Sequence, residues 1–240
     1  MTEKVIAVQE LSKDFSLGKH KSIHILKNIS FSAASNDFIS IVGPSGSGKS
    51  TLLKCLSGLL RPTNGSISID DMDPYQLSPS QTAKMRRTTL GFIFQSYNLV
   101  PALPVFENIV LPLRLAGKQV NRASVEQLLK KLNFTADMDS FVTTLSGGEQ
   151  QKVAIARVLV THAKIIFADE PTGAVDANSK KIIFDCLRTL ADNGACVIMV
   201  THDIELAAMT DRSLVLRDGQ LIKRLTNPTA SEILAEIERG

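Results

Sequence analysis

Cysteines, long apolar runs and net charge are all scarce in this sequence, and each shortage excludes a class of protein. The three cysteines, Cys55, Cys186 and Cys196, share no CxxC spacing, so we interpret them as small buried hydrophobic residues. No run of about eighteen apolar residues occurs, so no segment is predicted to span a bilayer. A formal net charge of +3 is too small for 240 residues to indicate nucleic-acid binding by itself.

The rest of the composition is typical of a soluble globular protein. The first residues, MTEKVIAVQE, lack the positive region and apolar stretch of a secretory signal, so we expect a protein of the cytosol. Hydrophobic residues make up 44% of the chain and charged residues 21%, which excludes a disordered chain. At 240 residues the chain is long for one domain and short for two.

Strand patterns occur in both halves of the chain. The candidate strands of the first half are 5–8, 23–31 and 38–42. The Asn64-Gly65 turn and the alternating SISID after it extend this region as an antiparallel sheet. Later, apolar runs at 165–168 and 197–200 flank an amphipathic helix at 180–191, and such alternation is typical of a parallel α/β sheet. Asp218-Gly219 predicts a late hairpin.

The middle of the chain has a different pattern. Residues 95–115 are rich in large apolar side chains but contain three prolines, which remove hydrogen bonds from helices and strands, so we do not expect one regular element there. The prolines are Pro101, Pro104 and Pro112. A helix is predicted at 122–132 from its apolar spacing. We therefore interpret 95–159 as a mostly helical insertion.

Residues 43–51, GPSGSGKST, match the pattern G-x4-G-K-[ST] between a predicted strand and a predicted helix. The glycines allow backbone N–H groups to turn inward around phosphates, and the helix N-terminus adds its positive end. Lys49 can reach the β and γ phosphates, and the Ser50 hydroxyl can bind Mg²⁺. The predicted contacts to a nucleoside triphosphate are Gly43, Pro44, Ser45, Gly46, Ser47, Gly48, Lys49, Ser50 and Thr51.

Polar residues follow three other predicted strands, 90–94, 165–168 and 197–200, at the edge where open α/β sheets bind ligands. Asp169 can hold Mg²⁺ through water, and Glu170 can polarise an attacking water as general base. His202 can donate a hydrogen bond to the γ-phosphate or to that water. Gln95 can ligate Mg²⁺ and act as a hinge to the insertion. The alternatives are two exposed carboxylates, a structural histidine and a polar strand cap.

The LSGGEQ stretch at 145–150 predicts a second anion site. Ser146 can cap a helix predicted at 150–160, and the glycines expose backbone N–H groups at its N-terminus. The predicted sheet does not supply this segment to the first site. Two phosphate sites and one class of nucleotide suggest that Ser146 and Gly148 bind the nucleotide of a partner subunit.

Together these motifs resemble the nucleotide-binding subunit of ABC transporters over nearly the whole chain. The resemblance implies an α/β fold, the P-loop NTPase of ABC ATPases. Its expected parts are a RecA-like parallel sheet core, an N-terminal antiparallel β subdomain and an inserted α-helical subdomain. The core and β subdomain would comprise 1–94 and 160–225. The helical subdomain would comprise 95–159 and contain the LSGGEQ stretch, which is the family signature. Residues 226–240 would form a short C-terminal tail.

The resemblance also implies a head-to-tail homodimer that holds two ATP molecules with Mg²⁺. Each ATP would lie between residues 43–51 of one subunit and the signature of the other. The implied signature contacts are Ser146, Gly147, Gly148 and Glu149, with Asp176 on the loop Gly173-Ala-Val-Asp176 that connects the two sites. The implied catalytic residues are Glu170, His202, Lys49 and Gln95, and the implied metal ligands are Ser50, Gln95 and Asp169.

Phe15, in SKDFSLG, is the candidate for stacking on the adenine ring. Family members more commonly have tyrosine at this position. Core packing is the alternative, because phenylalanine has no polar group.

The stretch GFIFQSYNLVPALPVFENIVLPL is similar to one ABC subfamily, which includes lipoprotein-release, macrolide-export, bacitracin-resistance, haem-export and cell-division ATPases. This implies an integral-membrane permease that docks in a groove around 95–115, and a peripheral position on the cytoplasmic face of the plasma or inner membrane. Export is favoured, and no nucleic-acid partner is expected. The alternatives are an ATPase that signals to cell-wall enzymes without transport, and a soluble ABC ATPase acting on nucleic acid or ribosomes.

Overall fold

Two β-sheets organise the chain, and the computed structural model describes residues 3–16, 18 and 22–239. The strands are β1 (Lys4–Ser16), β2 (Ser22–Ala34), β3 (Phe38–Val42), β4 (Asn64–Ile69), β5 (Leu90–Ile93), β6 (Ile165–Asp169), β7 (Cys196–Val200), β8 (Arg212–Arg217) and β9 (Gln220–Thr226). The α-helices are α1 (Lys49–Leu56), α2 (Pro79–Thr88), α3 (Val105–Leu115), α4 (Arg122–Lys131), α5 (Gly147–Leu159), α6 (Ala177–Asp192), α7 (Ile204–Ala208) and α8 (Ala230–Glu238). A 3₁₀ turn covers Val142–Thr144.

The smaller sheet is antiparallel, with strand order β2-β1-β4. This confirms the antiparallel region that the sequence predicts, and the Asn64-Gly65 turn does begin β4. β1 extends further than its apolar run indicated, because its second half is mostly exposed or half-exposed and carries polar residues, and β2 extends beyond its run by one residue at its start and three at its end. Register shifts interrupt their pairing, one of them between Lys13 and Asp14.

The larger sheet has the order β5-β6-β7-β3-β8-β9, and only β9 runs antiparallel to its neighbour. Every residue of β3, β6 and β7 is buried, as expected for parallel strands covered on both faces. Ile41 pairs with Val200, and Asp169 also pairs with Val200. The three strands therefore end side by side, and the residues that follow them meet at one edge of the sheet.

This sheet separates two hydrophobic cores. Alternate strand residues such as Phe38 and Ile166 pack with α3, α4, α5 and α6, whereas Ile39 and Phe167 pack with α1 and the antiparallel sheet. Cys55 and Cys196 lie in the second core, where burial raises the pKa of their thiols to about 11 and about 12. Their interpretation as small buried residues is confirmed, while Cys186 is only half-buried.

The helical insertion leaves the sheet between two neighbouring strands. β5 pairs directly with β6, and residues 94–164 between them carry α3, α4 and α5. Ile109, Val125 and Val153, one from each helix, share a single core. The mostly helical insertion is therefore present as predicted, and none of the described helices combines the length and apolarity needed to cross a membrane.

Residues 95–115 do not form one regular element, as predicted, but Pro112 does not interrupt the helix in their second half. Pro104 precedes α3, but Pro112 lies inside it. Pro112 removes one backbone hydrogen bond, at a cost of about 3 kcal/mol in a helix interior. Val105 and Ile109 are completely buried, and burial of each such side chain stabilises by about 1.5–3 kcal/mol. Tertiary packing therefore outweighs the helix-breaking tendency of the proline.

Two C-terminal helices lie where no helix was predicted. The short helix α7 follows β7, and α8 occupies most of the segment interpreted as a tail. α8 begins with a capping box: the Thr229 side chain accepts a hydrogen bond from the backbone N–H of Glu232, and the Glu232 side chain accepts one from the backbone N–H of Thr229. Ile233 is fully buried and ties α8 to β8.

Candidate functional site

The loop between β3 and α1 has the geometry of an anion site. Gly48 caps α1 with φ at 99° and offers no side-chain bond, so the first N–H groups of the helix stay available to a ligand. The Ser47 hydroxyl is buried and has no hydrogen-bond partner among the described residues. Gly43 has φ at +147°, and a Cβ there would lie 2.0 Å from the carbonyl oxygen of Leu216 in β8. The loop therefore packs against β8 on one side, while its N–H groups remain available to an anion on the other.

Alanine substitution at two glycines of this loop should separate backbone strain from steric overlap. Gly46→Ala is expected to cost only about 1–3 kcal/mol for a strained backbone conformation, because φ is +80° and no atom of the described residues lies within 4 Å of the added Cβ. Gly43→Ala should destabilise the protein more, since the added Cβ must displace the backbone of Leu216. Urea unfolding without nucleotide measures both free energies, and equal losses would contradict the close approach.

Lys49 is the first residue of α1, and its side chain returns over the loop. The Nζ atom donates to the carbonyl oxygens of Gly43 and Pro44, each at 2.8 Å. Burial lowers the pKa of Lys49, and the charges of Glu170 and Asp169 partly offset that effect. The ammonium therefore lies inside the loop, bound to backbone oxygens that a phosphate oxygen can replace.

The Ser50 hydroxyl donates to Oδ1 of Asp169 at 2.9 Å. Burial raises the pKa of Asp169, and the bond from Ser50 and the charges of Lys54 and Lys49 oppose this rise. A hydroxyl beside a carboxylate suits a hard cation such as Mg²⁺. No cluster of three or more His, Cys, Asp or Glu side chains suited to a metal occurs in the described ranges, so the other ligands of Mg²⁺ would come from phosphate, water or an amide.

Glu170 and His202 form a pair at the ends of β6 and β7. The imidazole Nδ1 lies 2.9 Å from Oε2 of Glu170. Glu170 has φ at 52°, and its backbone N–H donates to Val200, so its position depends on both strands. The carboxylate is mostly buried, with 14% of the side chain exposed, while 73% of the His202 side chain is exposed. This pair places a carboxylate and an imidazole in the cavity beside the loop, next to Lys49.

The predicted residues converge on a cavity of about 470 Å³. Six of them line it: Gly43, Ser45, Lys49, Gln95, Glu170 and His202. Gly173 and Ala174 of the predicted connecting loop also contribute. Sequence reasoning missed two further lining residues, Tyr97 and Gln151. Tyr97 lies in the loop after β5, and Nε2 of Gln151 donates to the carbonyl oxygen of Pro171, so the position of each depends on packing that no local pattern indicates.

A second cavity of about 290 Å³ lies along the loop and shares Lys49 with the first. Gly46, Gly48, Ser50 and Thr51 line it, together with Ile25, which was not predicted. Ile25 is skipped in the pairing with β1, because the register shifts between Leu26 and His24, and such bulges redirect a side chain. Phe15 does not line this cavity: it pairs with Ile23, is 41% exposed, and has the Lys13 ammonium 5.2 Å from its ring centre.

The signature residues lie apart from the first cavity, and none of Ser146, Gly147, Gly148 and Glu149 lines it. α5 begins at Gly147, three residues earlier than predicted, and Ser146 and Glu149 form its capping box. A Cβ on Gly148 would lie 3.3 Å from the carbonyl oxygen of Ala174, so the signature flanks the predicted connecting loop within one chain. Asp176 caps α6, and the hydrogen bond from Ser179 lowers its pKa.

An apolar groove of about 250 Å³ opens beside β5, and its apolar lining comes mainly from β5 and from Phe94 directly after it. The apolar lining includes Leu59, Leu90, Phe92, Phe94 and Val158, and Arg86 and Arg157 add two guanidinium groups. From the stretch 95–115, only Asn98 and Pro112 take part. The other apolar residues of α3, such as Ile109, belong to the core, so this groove lies nearer β5 than the stretch 95–115 in which a docking groove was predicted.

The sequence and structure match proteins of one family. The family profile described as "ABC transporter" covers residues 26–173. The macrolide export ATP-binding/permease protein MacB of Mannheimia succiniciproducens is 43% identical over 220 residues, which is 91% of this chain and 34% of the relative. The chain thus spans about a third of the length of the curated relatives it matches.

Solved structures give the same result. A dimeric post-hydrolysis state of the ATP-binding cassette MJ0796 bound to ADP and Pi has a TM-score of 0.86 and 34% identity, covering 93% of this chain and 99% of that chain. The dimeric structure of MJ0796 described as a bacterial ABC transporter cassette has a TM-score of 0.87 and 35% identity over the same shares. These matches confirm the predicted α/β P-loop fold, and the chain belongs to the ABC transporter family.

Proposed function

We propose that this chain is the ATP-binding and ATP-hydrolysing subunit of an ABC membrane complex that exports its substrate. The observation that carries the proposal is the convergence of Lys49, Gln95, Glu170 and His202 on one cavity beside the phosphate loop. Three of these four residues follow parallel strands that end at the same edge of the sheet, and Lys49 opens the helix after the fourth. One subunit therefore holds the phosphates and the base within a single cavity.

Each residue has a separate chemical task in this proposal. The loop amides and Lys49 bind the phosphates and neutralise the charge that develops on them. Glu170 accepts a proton from the attacking water, while His202 holds the carboxylate in place through the 2.9 Å contact. Ser50 and Asp169, with Gln95, would hold Mg²⁺, which supplies positive charge to the phosphate oxygens when bound. Gln95 is exposed beside this set and joins it to the helical insertion.

The proposed active unit is a head-to-tail homodimer. Ser146 and Gly147 are exposed at a helix N-terminus, outside the cavity of their own chain. A second subunit placed head to tail would bring this N-terminus to the other subunit's phosphates, where its N–H groups stabilise negative charge. The related cassette MJ0796 is described as dimeric and as bound to ADP and Pi, which supports this assembly.

The proposed membrane partner is a permease that docks in the apolar groove beside β5. The groove has the apolar lining that an amphipathic helix requires. The MacB relatives carry an ATP-binding and a permease function in one longer protein, whereas this chain matches about a third of their length. The chain would then lie on the cytoplasmic face of the membrane without entering it.

Mixing two inactive variants tests the shared site. Lys49→Ala removes the phosphate contact, and Ser146→Asp keeps a good helix cap while placing a negative charge at the signature. Each variant alone should hydrolyse almost no ATP. In a mixed dimer one site carries both changes and the other carries neither, so an equal mixture should recover up to about a quarter of the wild-type rate.

The two possible arrangements predict different results for the mixture. If each chain completed its own site, every subunit in the mixture would carry a defect and no activity would return. A mixture of Lys49→Ala with itself at the same total concentration is the matched control. Recovery in the mixture and none in the control supports the head-to-tail site.

A further inference from the structure

The loop that carries Gln95 lies along the signature helix of its own chain. We propose that Tyr97 and Arg157 fasten this loop to α5, so that Gln95 at one ATP site and Ser146 at the other are positioned by the same helix. The inference rests on the proposed function, because it assigns two positioning residues to the proposed shared sites. Neither Tyr97 nor Arg157 is proposed to contact the phosphates, Mg²⁺ or the attacking water.

Arg157 fixes the loop from the C-terminal end of α5. Its Nη2 donates to the carbonyl oxygen of Tyr97 at 2.6 Å, and its Nη1 donates to that of Asn98 at 2.7 Å. Within the described part of the chain, no carboxylate pairs with this guanidinium. Burial lowers the pKa of Arg157. Its hydrogen bonds are therefore committed to two backbone carbonyls of the loop.

The backbone of the loop is shaped for this contact. Tyr97 has φ at 62° and Asn98 has φ at 47°, so two consecutive residues with side chains adopt the left-handed conformation. Residues other than glycine leave this region unless their surroundings hold them there. The fork of Arg157 supplies that restraint, because its two N–H groups bind both carbonyls at once.

Tyr97 extends the contact to the N-terminal end of α5. Its hydroxyl lies 3.4 Å from the position that a Cβ would take on Gly147, the first residue of the helix. Gly147 and Arg157 are nearly three turns apart, about 15 Å along the helix. The loop and the Tyr97 side chain span this distance, so they contact the helix beside the signature and again near its C-terminal end.

The contact between the loop and α5 lies between the cavity that contains Lys49 and the apolar groove. Tyr97 lines the cavity with Lys49 and Glu170, while Asn98 and Arg157 line the apolar groove. A helix that enters the groove would touch the same guanidinium that holds the loop. Through this contact, the position of the membrane partner is transmitted to both ATP sites.

Hydrogen exchange in Glu170→Gln protein tests the proposal without relying on turnover. ATP should protect the amides of 95–98 and of 146–149 together in this parent. Arg157→Lys keeps the positive charge but loses the fork, and should leave 95–98 protected while 146–149 requires about tenfold more ATP. Tyr97→Phe removes only the hydroxyl and should give a smaller shift in the same direction.

The matched control is Arg87→Lys, at an exposed arginine of α2. In this control, the amides of 95–98 and those of 146–149 should become protected at the same ATP concentration. Thermal unfolding checks that each variant is folded, and Tyr97→Phe retains the ring if Arg157→Lys fails this check. The proposal would be overturned if 95–98 and 146–149 became protected at the same ATP concentration in both Arg157→Lys and Tyr97→Phe. A parent that shows protection at 95–98 but no ATP-dependent dimer would instead overturn the proposed shared site, and this inference with it.

Discussion

Glu170→Gln is expected to lower the rate of ATP hydrolysis by about 10²–10⁴-fold, the usual contribution of a general base. Glutamine keeps the size of the side chain and can still contact Nδ1 of His202, which lies 2.9 Å from Oε2. It cannot accept the proton of the attacking water. ATP binding should be unchanged, so ATP should accumulate in a stable dimer, which size-exclusion chromatography with ATP would detect.

Glu205→Gln is the control for this substitution. Glu205 is an exposed carboxylate in α7, directly after the strand that delivers His202, and it does not line the cavity. Its replacement should leave hydrolysis within about twofold of wild type, as for most surface changes. A Glu170→Gln protein that stays monomeric with ATP and still hydrolyses it would exclude both the assigned base and the shared site.

Lys49→Ala is expected to weaken ATP binding by about 10–100-fold, because hydrogen bonds to a charged group contribute about 1.5–3 kcal/mol. Hydrolysis should fall further, since the ammonium also neutralises charge that develops during the reaction. Bound ATP should raise the unfolding temperature of the wild type, and this rise should disappear in the variant at ATP concentrations near the wild-type dissociation constant. Isothermal titration calorimetry gives the affinity directly.

Stability without ATP separates this effect from unfolding. Alanine removes the unfavourable burial of a charge but also the two hydrogen bonds of Lys49 to Gly43 and Pro44, and these effects oppose each other, so the unfolding temperature without ATP should change little. Lys84→Ala, at an exposed lysine of α2, is the control and should retain the ATP-dependent rise. An unaltered affinity in Lys49→Ala would contradict the assignment of the loop as the phosphate site.

Local chemistry explains why much of the site was predictable. The loop at 43–51 is a continuous motif, and Asp169, Glu170 and His202 each follow a buried apolar strand. Parallel strands deliver such residues to one edge of the sheet, so adjacency in space followed from the pattern alone. The cavity that joins Lys49, Gln95, Glu170 and His202 is the result.

The missed features depend on packing between distant segments. Ile25 reaches the phosphate loop through a register shift, and no sequence pattern marks such a shift. Arg157 recognises two backbone carbonyls, which have no residue signature. Pro112 lies in a helix because its neighbours are buried, a tertiary effect that local propensity does not contain. By contrast, Thr229 and Glu232 are a local capping box, and this signal could have located α8.

The position of β3 in the sheet has a consequence for how the chain folds during synthesis. β3 lies between β7 and β8, which come from the last quarter of the sequence, so its pairing requires contacts of long sequence separation. Gly43, directly after β3, also packs against Leu216 of β8. We therefore expect the phosphate loop to acquire its final shape only after the C-terminal strands have left the ribosome, so that a nascent chain should not bind ATP before its sheet is complete.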